Sequence, residues 1–173
     1  MTKVALDARI IDPEANEYDG GKVALCAEKI IEINRANPGT AQAVFCDTNT
    51  PKKDAFSVYQ ALRDRLVRSG EFAENEIAFV HDAANDKQRL AMFERVNNAE
   101  IKIIIGSTGK LGTGVNIQRK LSALHHLDAP YRPSDIEQRN GRGIRQGNEN
   151  SEVYIGDLSL IHISEPTRLR RIS

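Results

Sequence analysis

The apolar positions along the chain follow two spacings, one typical of helices and one typical of short buried strands. Helical spacing begins at Lys22 and stops where Asn, Pro and Gly stand at 37–39. It resumes after Thr50 and Pro51, which predict an N-cap followed by proline in the first turn. The predicted helices cover 22–37, 51–70, a segment through 90 and 93 that stops near 97–98, and about 134–142.

Short apolar runs of strand length separate these helices, and they lie at 41–46, 77–80, 101–106, 121–127 and 153–155. The run IKIIIG at 101–106 is typical of a central strand that is buried on both faces. Strands that alternate with helices of about ten or more residues indicate βαβ units and a parallel sheet. We therefore expect an open, doubly wound α/β domain with a mainly parallel sheet and helices on both faces.

Length and composition narrow the class of protein. The chain has 173 residues, which suits one domain, and no apolar run approaches the roughly 20 residues that span a bilayer. Its 24 basic residues balance 24 acidic ones, so any contact with nucleic acid has to come from a local patch. Cys26 and Cys46 sit in apolar surroundings without a C-x-x-C spacing, which favours buried thiols in a reducing cytoplasm.

The sharpest chemical signal is the stretch QRNGRGIR at 138–145. If the predicted helix extends this far, Arg142 and Arg145 share a face and both guanidiniums can reach one site. The planar, permanently charged fork of arginine matches phosphate oxygens. Gly141 and Gly143 flank Arg142 and would each cost a helix about 1 kcal/mol, so we interpret them as points where the backbone approaches a partner closely. The alternative is a solvated basic face.

A second signal, GSTGKLGTGVNI at 106–117, directly follows the isoleucine-rich strand. Small residues at the carboxyl end of a parallel strand let backbone amides approach a ligand. Two known phosphate-binding patterns fail here. A Walker A loop needs Ser or Thr where Leu111 stands, and a dinucleotide fingerprint that starts at Gly112 needs glycine where Ile117 stands.

Together these stretches resemble motifs of the C-terminal RecA-like lobe of superfamily-two helicases. The pattern Q-x-x-G-R-x-x-R at 138–145 is similar to motif VI, and S-T-x-x-x-G-x-G-x-N at 107–116 is similar to the Swi/Snf-type form of motif V. Weaker matches follow in family order at 41–48, 81–93 and 127–135. The resemblance covers about 20–157, and the residues just before Arg142 favour relatives in phages or mobile elements.

The resemblance implies a RecA-like fold and a role for each site residue. Arg142 and Arg145 would be arginine fingers in ATP hydrolysis. The other nucleotide-facing residues would be Gln138, Gly112, Gly114 and Asn116. Those that face nucleic-acid phosphates would be Ser107, Thr108 and Lys110. ATP and Mg²⁺ would be held mainly by an N-terminal lobe, because no Walker A or Asp-Glu box follows any apolar strand of this chain.

The implied partners are therefore nucleic acid, which we expect to be DNA, and an N-terminal RecA-like lobe of the same parent chain. Without that lobe the isolated chain is expected to be inactive. Two other classes of function stay open: a non-catalytic α/β module that binds a nucleotide or a protein, and a small-molecule transferase. The failed dinucleotide fingerprint and the lack of a convincing general base count against the transferase.

The chain ends are expected to lie outside the lobe. Residues 1–20 are polar, are broken by Pro13 and end at the pair Gly20-Gly21, so they predict a connector to the lobe at 21–157. From Leu158 the sequence LSLIHISEPTR resembles an in-frame translation of the transposon adapter used in DNA library preparation. We therefore exclude 158–173 as an artefactual tail and expect the natural sequence to continue past Asp157. The alternative is a genuine strand with a basic end.

Overall fold

The computed structural model describes residues 6–111, 115–129, 132–141, 143–158 and 168–171. Its helices are α1 (Lys22–Ala36), α2 (Val58–Arg68), α3 (Asp86–Asn97), α4 (Thr108–Leu111) and α5 (Pro133–Asn140). Its strands are β1 (Ala41–Phe45), β2 (Ile77–Phe79), β3 (Ile103–Gly106), β4 (Leu121–His126), β5 (Glu152–Asp157) and β6 (Arg168–Arg171). Three short 3-10 turns lie at 8–10, 74–76 and 80–82.

The strands form one sheet in the order β2-β3-β1-β4-β5-β6. The first five strands run parallel, and β6 pairs antiparallel with β5. At the carboxyl ends of the central strands, Phe45 is in register with Gly106 on one side and with His126 on the other. The predicted α/β fold with a mainly parallel sheet is confirmed.

Helices cover both faces of the sheet because alternate strand residues point to opposite sides. In β3, Ile103 and Ile105 belong to the core beneath α1 and α2, whereas Ile104 belongs to the core on the side of α3 and α4. All three isoleucines are fully buried, which explains why the strand is apolar along its whole length. Among the described residues, no helix is both long and apolar enough to cross a membrane.

The start of α2 differs from the prediction, because the helix begins at Val58 and not near Pro51. The side chain of Asn49 explains the difference. Its amide oxygen accepts from the Val58 amide at 2.7 Å, and its Nδ2 donates to the Phe56 carbonyl at 3.2 Å. Asn49 therefore closes the segment 50–57 into a loop and provides the local hydrogen bond that a helix start requires.

The described part of the predicted connector packs against the lobe. Leu6 is buried in the core next to α1 and α2, and the Arg9 guanidinium lies 4.9 Å from the centroid of the Phe56 ring. Farther along, Glu17 accepts from Arg65 of α2 at 2.6 Å. These contacts place residues 6–20 on the surface of the same unit.

Two described parts of the C-terminal stretch also lie against the lobe. Leu158 is 8% exposed and packs in the core with α1 and α2. The backbone of Arg168–Arg171 pairs with β5 at the edge of the sheet. The boundary that the sequence suggests at Leu158 therefore falls within packed structure, whatever the origin of the residues that follow.

Candidate functional site

The loops that follow β1, β3 and β4 meet at the carboxyl edge of the sheet, and α5 lies over them. These loops begin with Asp47, Ser107 and Asp128, one or two residues after the register-matched strand ends. In open α/β sheets, ligands bind at this edge. The segments that resemble motifs IV, V and VI therefore come together at one place.

Arg139, on the last turn of α5, holds this arrangement together. Its side chain is 0% exposed, and each of its three nitrogens donates a hydrogen bond. Nε donates to Thr108 Oγ1 at 2.7 Å, Nη2 to Asp47 Oδ2 at 2.8 Å, and Nη1 to the Asp128 carbonyl at 3.0 Å. The guanidinium also lies 5.3 Å from the centroid of the Phe45 ring, a cation–π contact. One side chain thus contacts the ends of three strands.

Two carboxylates balance the charge of Arg139. The Asp128 side chain is 1% exposed, and one of its oxygens accepts from the backbone amides of Asp47 at 2.8 Å and Thr48 at 2.6 Å. The Asp47 side chain, at 33% exposure, accepts from both the amide and the hydroxyl of Thr108, at 2.6 and 2.7 Å. A buried charge is tolerated only when it is paired and hydrogen-bonded, and here every partner meets that condition.

His126 completes the cluster as a neutral ring. Its Nε2 lies 2.8 Å from Asn140 Oδ1, an oxygen that can only accept, so the network assigns the ring proton to Nε2. Its Nδ1 then accepts from Arg139 Nη1 at 3.3 Å. Burial, with a smaller contribution from the charge of Arg139, lowers the pKa of His126.

The neighbouring His125 points to the opposite face of the sheet. Its Nε2 lies 2.8 Å from Gln42 Oε1, and Gln42 in turn donates to the Ile30 carbonyl of α1 at 2.9 Å. Burial lowers the pKa of His125 to about 3, so it too is neutral. The two histidines face opposite sides of the sheet because neighbouring residues of a strand alternate in direction.

Sequence reasoning missed Arg139, Asp47 and Asp128, because the motif pattern treats position 139 as variable. A signal for them is present in the sequence. Asp47 follows the apolar run at 41–46 and Asp128 follows the run at 121–127, so two acidic residues stand at the carboxyl ends of parallel strands. Two neighbouring carboxylates need a basic partner because buried like charges repel each other. Position 139 lies on the helix that crosses them.

The residues proposed to face nucleic acid differ in how much of each is accessible. Lys110 is exposed and Ser107 is half-buried. Thr108 is 8% exposed, and its hydroxyl accepts from Arg139 and donates to Asp47. The Thr108 hydroxyl is therefore engaged within the protein, in contrast to the expectation that it faces phosphate oxygens.

The residues proposed to face the nucleotide are described only in part. Gln138 is half-buried on α5, and Asn116 is exposed while its carbonyl accepts from Asn97 Nδ2 at 2.7 Å. Gly112 and Gly114 lie outside the described residues. The amide nitrogen of Arg119 also donates to Asn97, at 3.3 Å, so this buried asparagine holds the second half of the glycine-rich loop against α3.

Arg145 does not lie on α5, because the helix ends at Asn140. The amides of Gly143 and Ile144 both donate to the Asn140 carbonyl and so form a turn after the helix. Arg145 is exposed beyond this turn, and Arg142 lies outside the described residues. The predicted helix therefore does not extend to Arg145.

The sheet itself, and not an external partner, accounts for Gly143. A Cβ added there would lie 3.0 Å from side-chain atoms of both Leu124 and Val153. A glycine lets the chain pass this close to β4 and β5 immediately after α5. The segment that carries Arg145 is therefore seated directly on the sheet.

Comparison with known proteins agrees with this geometry. The family described as "Helicase conserved C-terminal domain" matches residues 22–147. "Defense against restriction protein B" of Escherichia phage P1 is 40% identical over 154 residues, and the match covers 84% of this chain. It covers only 7% of the phage protein, so the chain spans a small part of that relative. The expectation of relatives in phages is thus met.

Solved helicase structures share the fold. The C-terminal part of the Fun30 ATPase domain superposes with a TM-score of 0.60 and 16% identity, covering 83% of this chain and 43% of that one. Mycobacterium smegmatis helicase Lhr, bound to ssDNA and AMP-PNP, superposes with a TM-score of 0.51 and 18% identity. This superposition covers 76% of this chain and 16% of that one. These likenesses show a RecA-like α/β fold. Together with the match over 22–147, they establish that the chain belongs to the helicase C-terminal domain family.

Proposed function

We propose that the chain is the C-terminal lobe of an ATP-dependent helicase or translocase that acts on nucleic acid. We propose DNA as that nucleic acid and the cytoplasm as the location. The observation that carries the proposal is Arg139, whose hydrogen bonds fix α5 against the ends of β1, β3 and β4. A fold alone does not imply a function, so the proposal depends on this site. An N-terminal lobe of the same parent chain would close over it.

On the nucleotide side, we propose that Gln138, Asn116 and Arg145 face ATP, joined by Arg142 and by the two glycines at 112 and 114. Gln138 and Arg145 lie at the two ends of the turn that Arg139 anchors, and Arg145 is exposed. Arg142 and Arg145 would act as arginine fingers, contacting phosphate oxygens as charge develops during phosphoryl transfer.

The carboxylates at the site support a division of labour between the lobes for Mg²⁺. Asp128 accepts from two backbone amides and from Arg139, and Asp47 accepts from Thr108 and Arg139. Both acids are thus engaged within this lobe, and we propose that neither ligates Mg²⁺ directly. The chain offers cations that suit a triphosphate, so ATP and Mg²⁺ would be held mainly by the N-terminal lobe.

On the nucleic-acid side, we propose that Ser107 and Lys110 contact backbone phosphates. Such contacts position a strand without reading its sequence. Thr108 would contribute to this side by shaping the loop, since its hydroxyl is engaged with Arg139 and Asp47. The structure of Lhr contains ssDNA, and we extend that kind of ligand to this lobe as part of the proposal.

Alanine substitution at Arg142 tests the proposal in a protein that contains both lobes. Arg142→Ala is expected to lower ATP turnover steeply, on the scale of about 10³–10⁵ measured for arginine fingers in GTPases, with little change in nucleic-acid affinity. Arg142→Lys should fail almost as badly, since a point charge does not replace a planar fork. Arg145→Ala should show a similar but smaller loss.

The matched control is Arg95→Ala, in the last turn of α3 at the opposite edge of the sheet. Arg95 pairs with Glu100 at 3.4 Å, and both side chains are about half exposed, so the pair contributes little. This variant should turn over ATP at the wild-type rate. Wild-type turnover in Arg142→Ala would remove the assignment of arginine fingers.

A further inference from the structure

We propose that Arg139 is a positioning residue that makes the loop after β3 and the turn after α5 move as one unit, and so couples nucleic-acid binding to ATP turnover. The inference rests on the proposed function, because it assigns the loop to nucleic acid and the turn to ATP. The mechanical connection between the loop after β3 and the turn after α5 involves residues of this chain alone.

The connection runs through one hydroxyl. Arg139 Nε donates to Thr108 Oγ1 at 2.7 Å, and the same Oγ1 donates to Asp47 Oδ2 at 2.7 Å. Asp47 Oδ2 also accepts from Arg139 Nη2 at 2.8 Å, which closes a three-membered ring of hydrogen bonds. Thr108 cannot shift relative to Arg139 without breaking a bond in this ring.

Burial and charge make the ring stiff. The Arg139 side chain has no exposed surface, so water cannot replace a hydrogen bond that it loses. Moving its guanidinium would also leave the buried Asp128 carboxylate without its cation. The low-energy response to a force on either segment is therefore a joint displacement of both.

Thr108 and Arg139 each lie next to residues that are proposed to contact a ligand. Thr108 stands between Ser107 and Lys110, the residues proposed to contact phosphates. Arg139 directly follows Gln138 and precedes the turn that leads to Arg145. A displacement of the loop by a bound strand thus reaches the nucleotide side within one or two residues. This is a physical connection between two sites and not only proximity.

Thr108→Val tests the connection without disturbing charge. Removing Arg139 leaves a buried carboxylate without its cation, whereas valine keeps the branched shape of threonine and replaces the hydroxyl with a methyl group, so that Arg139 Nε loses its acceptor. The readout is residue-level amide hydrogen exchange in the 173-residue chain. The informative amides lie in the distant turn, where Gly141 donates to the Glu137 carbonyl at 2.9 Å and Ile144 to the Asn140 carbonyl at 3.0 Å.

We expect exchange at Gly141 and Ile144 to accelerate about two- to tenfold relative to amides of α1, the scale of one lost buried hydrogen bond. Thr108→Ser keeps the hydroxyl and should restore wild-type exchange. Ser122→Ala is the matched control. Ser122 is also a buried hydroxyl, but it donates to the Ala41 carbonyl at the opposite edge of the sheet, so it should leave the turn unchanged.

Faster exchange confined to 107–111, with the turn unaffected, would overturn the proposal, as would a Ser122→Ala variant that behaves like Thr108→Val. In a protein with both lobes, Thr108→Val should reduce the ratio of nucleic-acid-stimulated to unstimulated ATP turnover by about 2- to 30-fold, and an unchanged ratio would refute the coupling. The exchange measurement needs neither ATP nor nucleic acid. It can therefore fail while the proposed function stands, and it can succeed while the proposed function fails.

Discussion

Arg139 shows how one side chain can set the geometry of a whole edge of a sheet. It is the largest fully buried side chain described in the chain, and its partners come from three separate loops. Buried ion pairs of this kind seldom add much net stability compared with apolar packing, but removing one partner leaves the others uncompensated. The role of Arg139 is therefore to specify one arrangement of the motifs.

This asymmetry gives a prediction for Arg139→Ala. The variant should lose about 3–5 kcal/mol of unfolding free energy, because the buried Asp128 carboxylate loses its cation and Thr108 loses a donor. Urea denaturation monitored by circular dichroism measures the change. The exposed-pair variant Arg95→Ala should stay within about 0.5 kcal/mol of wild type. Equal behaviour of the two variants would show that Arg139 does not organise the site.

His125 gives a prediction about pH. Its pKa is about 3 in the folded chain, whereas an unfolded histidine titrates near 6.5. Between these values the unfolded state binds a proton that the folded state does not. The contribution of His125 to stability is therefore complete above about pH 6.5 and is lost as the pH falls toward 3, with a slope of up to about 1.4 kcal/mol per unit.

Urea denaturation of wild type and His125→Gln between pH 7 and pH 4 isolates this effect, because the carboxyl groups titrate alike in both. Glutamine retains a donor for the Gln42 oxygen and has no titration in this range. The wild-type stability should fall more steeply than that of the variant as the pH decreases. Parallel curves would mean that His125 is protonated without cost in the folded chain.

At the scale of elements, the sequence predicted the five parallel strands well because each is an apolar run between polar segments. β3 is the clearest case, since Ile103, Ile104 and Ile105 are buried against two different sets of helices. Helix boundaries were harder to predict. The start of α2 depends on a side-chain bond from Asn49, nine residues away from Val58, which periodicity does not contain.

The candidate site was predicted in outline and not in its central contact. The patterns at 107–116 and 138–145 indicated two motifs, and the structure brings one residue of each, Thr108 and Arg139, into contact. The importance of Arg139 depends on Asp47 and Asp128, which lie 92 and 11 residues away along the chain. Only the parallel pairing of β1 with β4 places these two carboxylates side by side.

The C-terminal stretch gives a prediction at this scale. Removing 160–173 is expected to leave the thermal midpoint nearly unchanged, because the described part of this segment, β6, pairs over only four residues at the edge of the sheet. Within that shortened chain, Leu158→Ala should cost about 2–5 kcal/mol, since Leu158 packs in the core. Differential scanning fluorimetry distinguishes the two changes. A loss of several degrees on truncation alone would make β6 a structural strand of the lobe.

At the scale of the molecule, we propose that the chain is a lobe whose site is completed by another. The described start of its glycine-rich loop lies at the carboxyl edge of the sheet, and the carboxylates at this edge are engaged with Arg139. The chain spans 7% of the phage relative, which leaves ample length for a second lobe in a protein of that kind. Closure of two lobes around ATP would then convert hydrolysis into movement along a strand.

The most direct test is ATP turnover by the 173-residue chain, alone and after fusion to the N-terminal lobe of its parent, with and without single-stranded DNA. The chain alone is expected to hydrolyse no ATP above background and to bind single strands weakly, with affinity that falls steeply as salt rises. The fused protein is expected to hydrolyse ATP, and faster with DNA. Robust turnover by the chain alone, or none by a folded two-lobed protein, would contradict the account.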